Sequence, residues 1–273
     1  MGYVKKLLFA VATVGVAPIA LAQSQTLVDS GSIISKAMSE DSSRSTSVTT
    51  ASFGVDYSEG KYGDTNKSTT STASLMLKHE TGPFTFRANI PWVRASGTRV
   101  AGGDRGALTK QTESGLGDIT LGAFYNAYNN NVGMFGFDIG AKVKLPTADD
   151  SKSLLTTGET DYSVQTDIYK SYGATTVFST LGWTKKGDPD FVNFRNPWYG
   201  SVGVSHKLSA STAFGVAYDY RQKVTSNGDS VSEASLFMTH KLNQQVKLQA
   251  YLVGGFSDAS PDLGGGAVIS VAY

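Results

Sequence analysis

Three histidines stand in closely similar settings, Lys78-His79-Glu80, Ser205-His206-Lys207 and Thr239-His240-Lys241, and His206-Lys207-Leu208 recurs as His240-Lys241-Leu242. A histidine beside a serine invites the chemistry of an activated nucleophile, which needs the imidazole within hydrogen-bond reach of the hydroxyl. Ser205 and His206 are adjacent in a stretch of alternating polarity, so on a strand they point to opposite faces and cannot form that pair. Asp149 and Asp150 have no accompanying histidine, which argues against an aspartate-dependent protease. In their Ser-containing loop they read as solvated acids, with weak calcium binding through oxygen ligands as the sharper alternative. Gly102-Gly103-Asp104-Arg105-Gly106 is followed by no helix whose N-terminus could hold a phosphate. The chain has no cysteine, which excludes thiolate metal sites and disulfides. The expectation is a protein that is not an enzyme and uses no cofactor.

The other ionisable residues fall in rows. From Gly115 to Pro146, Ile119, Leu121, Ala123, Tyr125 and Ala127 alternate with polar or small residues, and only Phe124 breaks the pattern. Asn129, Asn130 and Asn131 supply turn chemistry. The alternation then resumes, with Phe135, Phe137, Ile139, Ala141, Val143 and Leu145 on one face and Gly136, Asp138, Gly140, Lys142 and Lys144 on the other. Period-two alternation on both sides of a tight turn predicts a strand hairpin. Continued along the chain, the polar row collects Arg87, Asp118, Asp138, Lys142, Lys144, Asp167, Asp219, Arg221 and Lys247, with Asp56, Lys78, Asn89, Asn126, Asp161, Gln165, Lys241 and Gln249 beside them. Both signs of charge are present, and the row read this way contains no aromatic lining. A face of that kind suits a hydrated interior laced by cross-strand pairs, because buried ions are costly unless they are paired or wet.

The 273 residues carry a net charge of +1, which offers no basic excess to neutralise phosphates and so no nucleic-acid partner. Lys5 and Lys6 precede an apolar run, Leu7 to Leu21, that closes on Ala20-Leu21-Ala22. This is the pattern of a secretory signal, residues 1–22, cleaved before Gln23. No later window is long and apolar enough for a spanning helix. Residues 23–44 are Ser-rich and weakly apolar, with a short amphipathic helix over Ser32 to Ser39 in view. They are read either as a periplasmic segment or as a plug folded into the lumen. Residues 45–273 form the regular part.

That part reads as about twelve strands joined by alternating short turns and long loops, with a long Gly-rich loop from Ala95 to Ser114 and a further loop from Thr147 to Thr160. Strands can cross a bilayer only as a closed barrel, since an open edge leaves unpaired backbone groups in lipid. Such barrels carry aromatic girdles at both interfaces. With the N-terminus periplasmic, Tyr57, Trp92, Tyr162, Trp183, Trp198, Tyr218 and Tyr220 fall near the outer rim, and Phe84, Tyr125, Phe135, Phe214 and Tyr273 near the inner one. Tyr273 ends the chain, with Val271, Ile269 and Ala267 at every second position before it. This pattern resembles the C-terminal strand recognised by the barrel-assembly machinery. The predicted fold is an all-β, antiparallel, up-and-down transmembrane barrel in the Gram-negative outer membrane, in contact with its lipids and lipopolysaccharide. A secreted soluble β-barrel or sandwich is the alternative.

Asn89-Ile90-Pro91-Trp92-Val93, Gly115-Leu116-Gly117-Asp118-Ile119, Lys144-Leu145-Pro146-Thr147, Gly158-Glu159-Thr160-Asp161-Tyr162 and Gly182-Trp183 follow one another in an order that resembles the MetA-pathway phenol-degradation family of outer-membrane transporters, from about Phe84 to the C-terminus. The resemblance implies a transmembrane barrel that passes small solutes, aromatic or hydrophobic ones among them, and brings no catalytic residues. A structural or adhesive barrel without an open pore is the second reading, and a barrel enzyme the third. The three histidines are expected on the lipid side at the interface, where a ring with a polar tip is tolerated.

Overall fold

The computed structural model describes residues 47–64, 66–100, 108–130, 135–189 and 193–273. The signal segment, residues 23–44 with their expected short helix, the Gly102–Gly106 loop and Asn131 lie outside these residues. The strands are β1 (Val48–Gly60), β2 (Ser68–Thr81), β3 (Phe84–Val100), β4 (Leu108–Leu116), β5 (Ile119–Asn130), β6 (Phe135–Leu145), β7 (Asp161–Tyr172), β8 (Thr175–Lys185), β9 (Trp198–Lys207), β10 (Thr212–Arg221), β11 (Val231–Lys241), β12 (Val246–Gly255) and β13 (Leu263–Ala272). Chain neighbours pair antiparallel, and β1 pairs with β13 from Thr50–Ala272 to Glu59–Leu263, which closes the sheet. The first half of β3 pairs with β5 and the second half with β4. Because only Gly117 and Asp118 separate β4 from β5, these two segments share one strand position. The result is a closed barrel of twelve positions with the β3–β4 hairpin extending beyond one rim.

The expected loop from Ala95 to Ser114 is therefore mostly strand. Above the rim no lipid imposes apolar alternation, so the extension leaves no period-two signal in the sequence; its ladder runs in register from Trp92–Leu116 through Val100–Leu108. A second departure is a bulge between Asn126 and Tyr128. The extra residue, Ala127, has no partner on β6, and Tyr128 stands opposite Phe137 on the outer face. At the end of the barrel where β1 begins and β13 finishes, β2–β3 and β7–β8 turn through Gly82 (φ 53°) and Gly173 (φ 60°), angles that a side chain rarely tolerates. The longer loops are at the other end.

The barrel is inside out relative to a soluble one. Leu252 and Val202 are 61% and 56% exposed on the outer surface, while Asp167 and Gln165 are 1% and 3% exposed on the inside. Large apolar residues cover the outer face of most strands, from Phe53 and Leu75 round to Leu236 and Ile269. A contiguous apolar surface of this extent marks a membrane contact. The soluble alternative would have buried the same row. The expected girdles are outward as well: Trp92, Tyr162, Trp198, Tyr218 and Tyr220 are exposed towards the loop end, and Phe84, Tyr125, Phe214 and Tyr273 towards the turn end.

Candidate functional site

At the loop end of the interior, the β4–β5 junction, the first residue of β7 and the β6–β7 loop converge on Lys144 of β6. Its Nζ lies 3.0 Å from Asp118 Oδ2 and 3.2 Å from Asp161 Oδ2, and both carboxylates are buried. Asp161 also pairs with Lys186 and accepts the Gly187 N–H at 3.1 Å. Lys186 belongs to the β8–β9 loop; burial pulls its ammonium below the usual lysine value, against the opposing pull of Asp161. Asp118 accepts the Thr156 hydroxyl at 2.8 Å and the Ala148 N–H at 3.3 Å. It thereby captures the segment that the sequence suggested was a solvated loop. Leu154 and Leu155 of that segment pack with Ala148 against Val93 and Ala95 on the inner face of β3. Two further hydrogen bonds hold it: the Leu154 N–H donates to Glu113 Oε2 at 2.8 Å, and Lys152 Nζ donates to the Ser114 carbonyl at 2.8 Å. Residues 147–160 are thus a strap across the mouth. Asp149 stays exposed on it, its carboxyl held below the usual range chiefly by the Ser151 hydroxyl. Among the described residues no cluster of three or more His, Asp or Glu is placed to hold a metal.

Deeper inside, charges stand in cross-strand rows. Lys78 is opposite Arg87, Arg87 opposite Gly122, and Gly122 opposite Lys142. Like charges facing each other are destabilising, and each of these cations has a compensating neighbour. Lys78 pairs with Glu80 at 2.9 Å, the Arg87 guanidinium lies 4.2 Å from the centre of the Phe124 ring, and Lys142 Nζ lies 5.4 Å from that of Tyr199. Such cation–aromatic contacts are worth about 0.5–2 kcal/mol each. Asp138 faces Asp167 across β6 and β7. Asn126 donates to Asp138, while Thr180 (2.7 Å) and Gln165 (2.8 Å) donate to Asp167. Tyr199 completes the chain by donating to Gln165 Oε1 at 3.0 Å. On the far side, Asp219 faces Glu233 and Arg221 feels the same Glu233, while Lys247 faces Lys241 near the turn end. The nine residues singled out from the sequence all occupy inward positions.

The interior also carries what the sequence reading left out. Phe124, Tyr169, Phe178, Tyr199, Phe237 and Tyr251 all point inward, and in each case the directly paired residue on the next strand is glycine: Gly140, Gly136, Gly203, Gly182, Gly215 and Gly266. A Cβ on any of the first five glycines would collide with the ring lying across it, and one on Gly266 would meet Asp56 Oδ1 and the Tyr251 hydroxyl. An aromatic laid over a cross-strand glycine covers the bare backbone and pins the register. Tyr169, Phe178, Phe237 and Tyr251 join Ala213, Ala217 and Val253 in one apolar cluster across β7–β12, with Phe178 and Phe237 centroids 6.2 Å apart. The expectation of a lumen without aromatics is thus corrected. Period-two reading sorted the charged residues inward but gave no weight to rings at the same parity, although Phe124 was the visible break in alternation.

Residues 42–273 match the family described as Putative MetA-pathway of phenol degradation. The chain belongs to this family. The match extends the resemblance upstream from Phe84 to include β1 and β2. The fold of this phenol-degradation family barrel is shared with the COG4313 outer membrane channel from Pseudomonas putida F1, at 14% identity over 83% of this chain and 95% of that one, with a TM-score of 0.66. It is also similar to the KdgM porin (10% identity, 82% and 98% covered, TM-score 0.52) and the NanC porin (9%, 82% and 98%, 0.52). At these identities the likeness concerns architecture. Among curated proteins none matches the sequence.

Proposed function

We propose that this family member is an outer-membrane channel for the passive passage of small solutes, including amphiphilic aromatic ones. The observation that carries the reading is the mixed lining of the interior: an aromatic cluster on β7–β12 shares the inner face with charged residues, Arg87, Asp138 and Lys142 among them. A solute with a ring and a polar end finds a complement for each. Several buried inward atoms, among them Asp56 Oδ1, Asn89 Oδ1 and Asp219 Oδ1, have no protein hydrogen-bond partner among the described residues. Buried polar groups of that kind are ordinarily satisfied by water, which supports a wet path. In the same reading residues 1–22 are removed on export, residues 23–44 lie in the periplasm or plug the lumen, and Ile269, Val271 and Tyr273 serve the assembly machinery. Close packing around Phe178, 1% exposed, favours one rival, a structural or adhesive barrel without an open pore.

Planar-bilayer recording of the refolded mature chain separates these readings. Discrete ohmic steps are expected, with larger steps after deletion of residues 23–44 if that segment plugs the lumen. Folded barrels that conduct in neither form would sink the channel. The selectivity test belongs on the inner cation row, since Lys144 is committed to the strap. Arg87→Glu with Lys142→Glu should move the reversal potential towards cation selectivity, and an unchanged potential would put both residues outside the path.

A further inference from the structure

All three histidines make the same hydrogen bond. Thr49 Oγ1 is 2.9 Å from His79 Nδ1, Thr175 Oγ1 is 2.9 Å from His206 Nδ1, and Thr212 Oγ1 is 2.8 Å from His240 Nδ1. Each threonine is the direct cross-strand partner of its histidine, on three separate strand pairs. On the other side each histidine faces a large apolar residue, Phe86, Phe214 or Leu248. His206 is exposed, and His79 and His240 are half-buried. The level is that of the girdle. Tyr172 is opposite Thr175, and Tyr273 exchanges backbone hydrogen bonds with Thr49. Two of the rows therefore read tyrosine, threonine, histidine, phenylalanine across four strands.

Three copies of one side-chain pair, at one height on the outer face, take up all the imidazoles of the chain. A threonine hydroxyl that donates to Nδ1 selects the tautomer with the proton on Nε2, the distal nitrogen, which no other described residue engages. An N–H donor left in that position without an acceptor would be costly at the edge of the hydrocarbon layer. A phosphodiester offers acceptors and no donors, so it matches this tautomer, and tyrosine at the same height is the usual companion of headgroups.

We propose that the three Thr–His pairs are binding points for the phosphate of phospholipid headgroups in the leaflet at the turn end of the barrel, an inference that rests on the membrane-barrel reading above. The test uses the full mature chain, labelled with ¹⁵N in its histidines and folded in phosphate-free maltoside micelles. Titration with phosphatidylglycerol should shift and saturate the Nε2 resonances of all three rings. Diacylglycerol with the same acyl chains, and inorganic phosphate at the same concentration, should leave them in place. Native mass spectrometry should show headgroup lipid retained at least tenfold less by the triple variant His79→Phe, His206→Phe, His240→Phe. The near-isosteric triple Thr49→Val, Thr175→Val, Thr212→Val, which keeps the imidazoles, should lose retention in the same direction. A folded barrel whose rings do not respond, respond equally to diacylglycerol or respond equally to inorganic phosphate overturns the headgroup sites alone. A chain that folds without detergent and remains monomeric in water overturns the membrane reading as well.

Discussion

Lys144→Met is expected to lower the free energy of unfolding by about 3–5 kcal/mol, the usual consequence of removing one partner from a buried ion pair. Lys144 stands between Asp118 and Asp161 with both contacts near 3 Å. Without it Asp161 keeps Lys186, but among the described residues Asp118 is left with only the uncharged donors Thr156 and Ala148. The same change should loosen the strap, because Asp118 and Lys144 are what hold Thr156 and Thr157 in place. Urea titration reads the stability, and limited trypsin digestion at Lys152 reads the strap, with faster cleavage expected. Adding Asp118→Asn should restore part of the loss by removing the stranded charge; the two changes are in contact and will not be additive. A loss below about 1 kcal/mol, the range of exposed pairs, would show that water reaches the network and that the strap does not depend on it.

Phe124→Ala is the second large effect, again about 3–5 kcal/mol for an aromatic truncated in a packed interior. Phe124 is 3% exposed, lies across Gly140 and supports the Arg87 guanidinium. The informative experiment pairs it with Gly140→Ala. In the wild-type barrel the added methyl meets the ring and should cost about 1–3 kcal/mol through overpacking. In the Phe124→Ala background the nearest obstacle is gone, so the same methyl should cost little or even stabilise. A Gly140→Ala penalty that stays the same with and without Phe124 would show that backbone strain, and no ring contact, sets the requirement for glycine.

These two sites differ in how far the sequence revealed them. Lys144, Asp118 and Asp161 were legible as inward charges, because in a strand that borders lipid every second residue must be apolar and the others are thereby assigned to the inside. That the strap joins them was not legible. Leu154 and Leu155 sit in a polar stretch with no period, and only their packing on Val93 and Ala95 gives them a place. Phe124 was visible as an irregularity whose meaning depended on Gly140, a residue on the next strand. The histidines were legible as interfacial, since each lies just before a short turn, but their threonines are about thirty positions away in the chain and are brought to them by register alone.

The sequence by itself determined the closed all-β barrel, its twelve positions, its apolar exterior with aromatic rims, and the sign and side of its interior charges. These follow from the local two-residue period and from the ban on unpaired edges in lipid. Tertiary structure alone decided which inward residues meet. The Lys78–Arg87–Lys142 row, the six aromatic–glycine pairs and the strap on Asp118 depend on strand register around the closed barrel. Closure fixes that register through stagger and tilt, quantities shared by all strands and written in none of them.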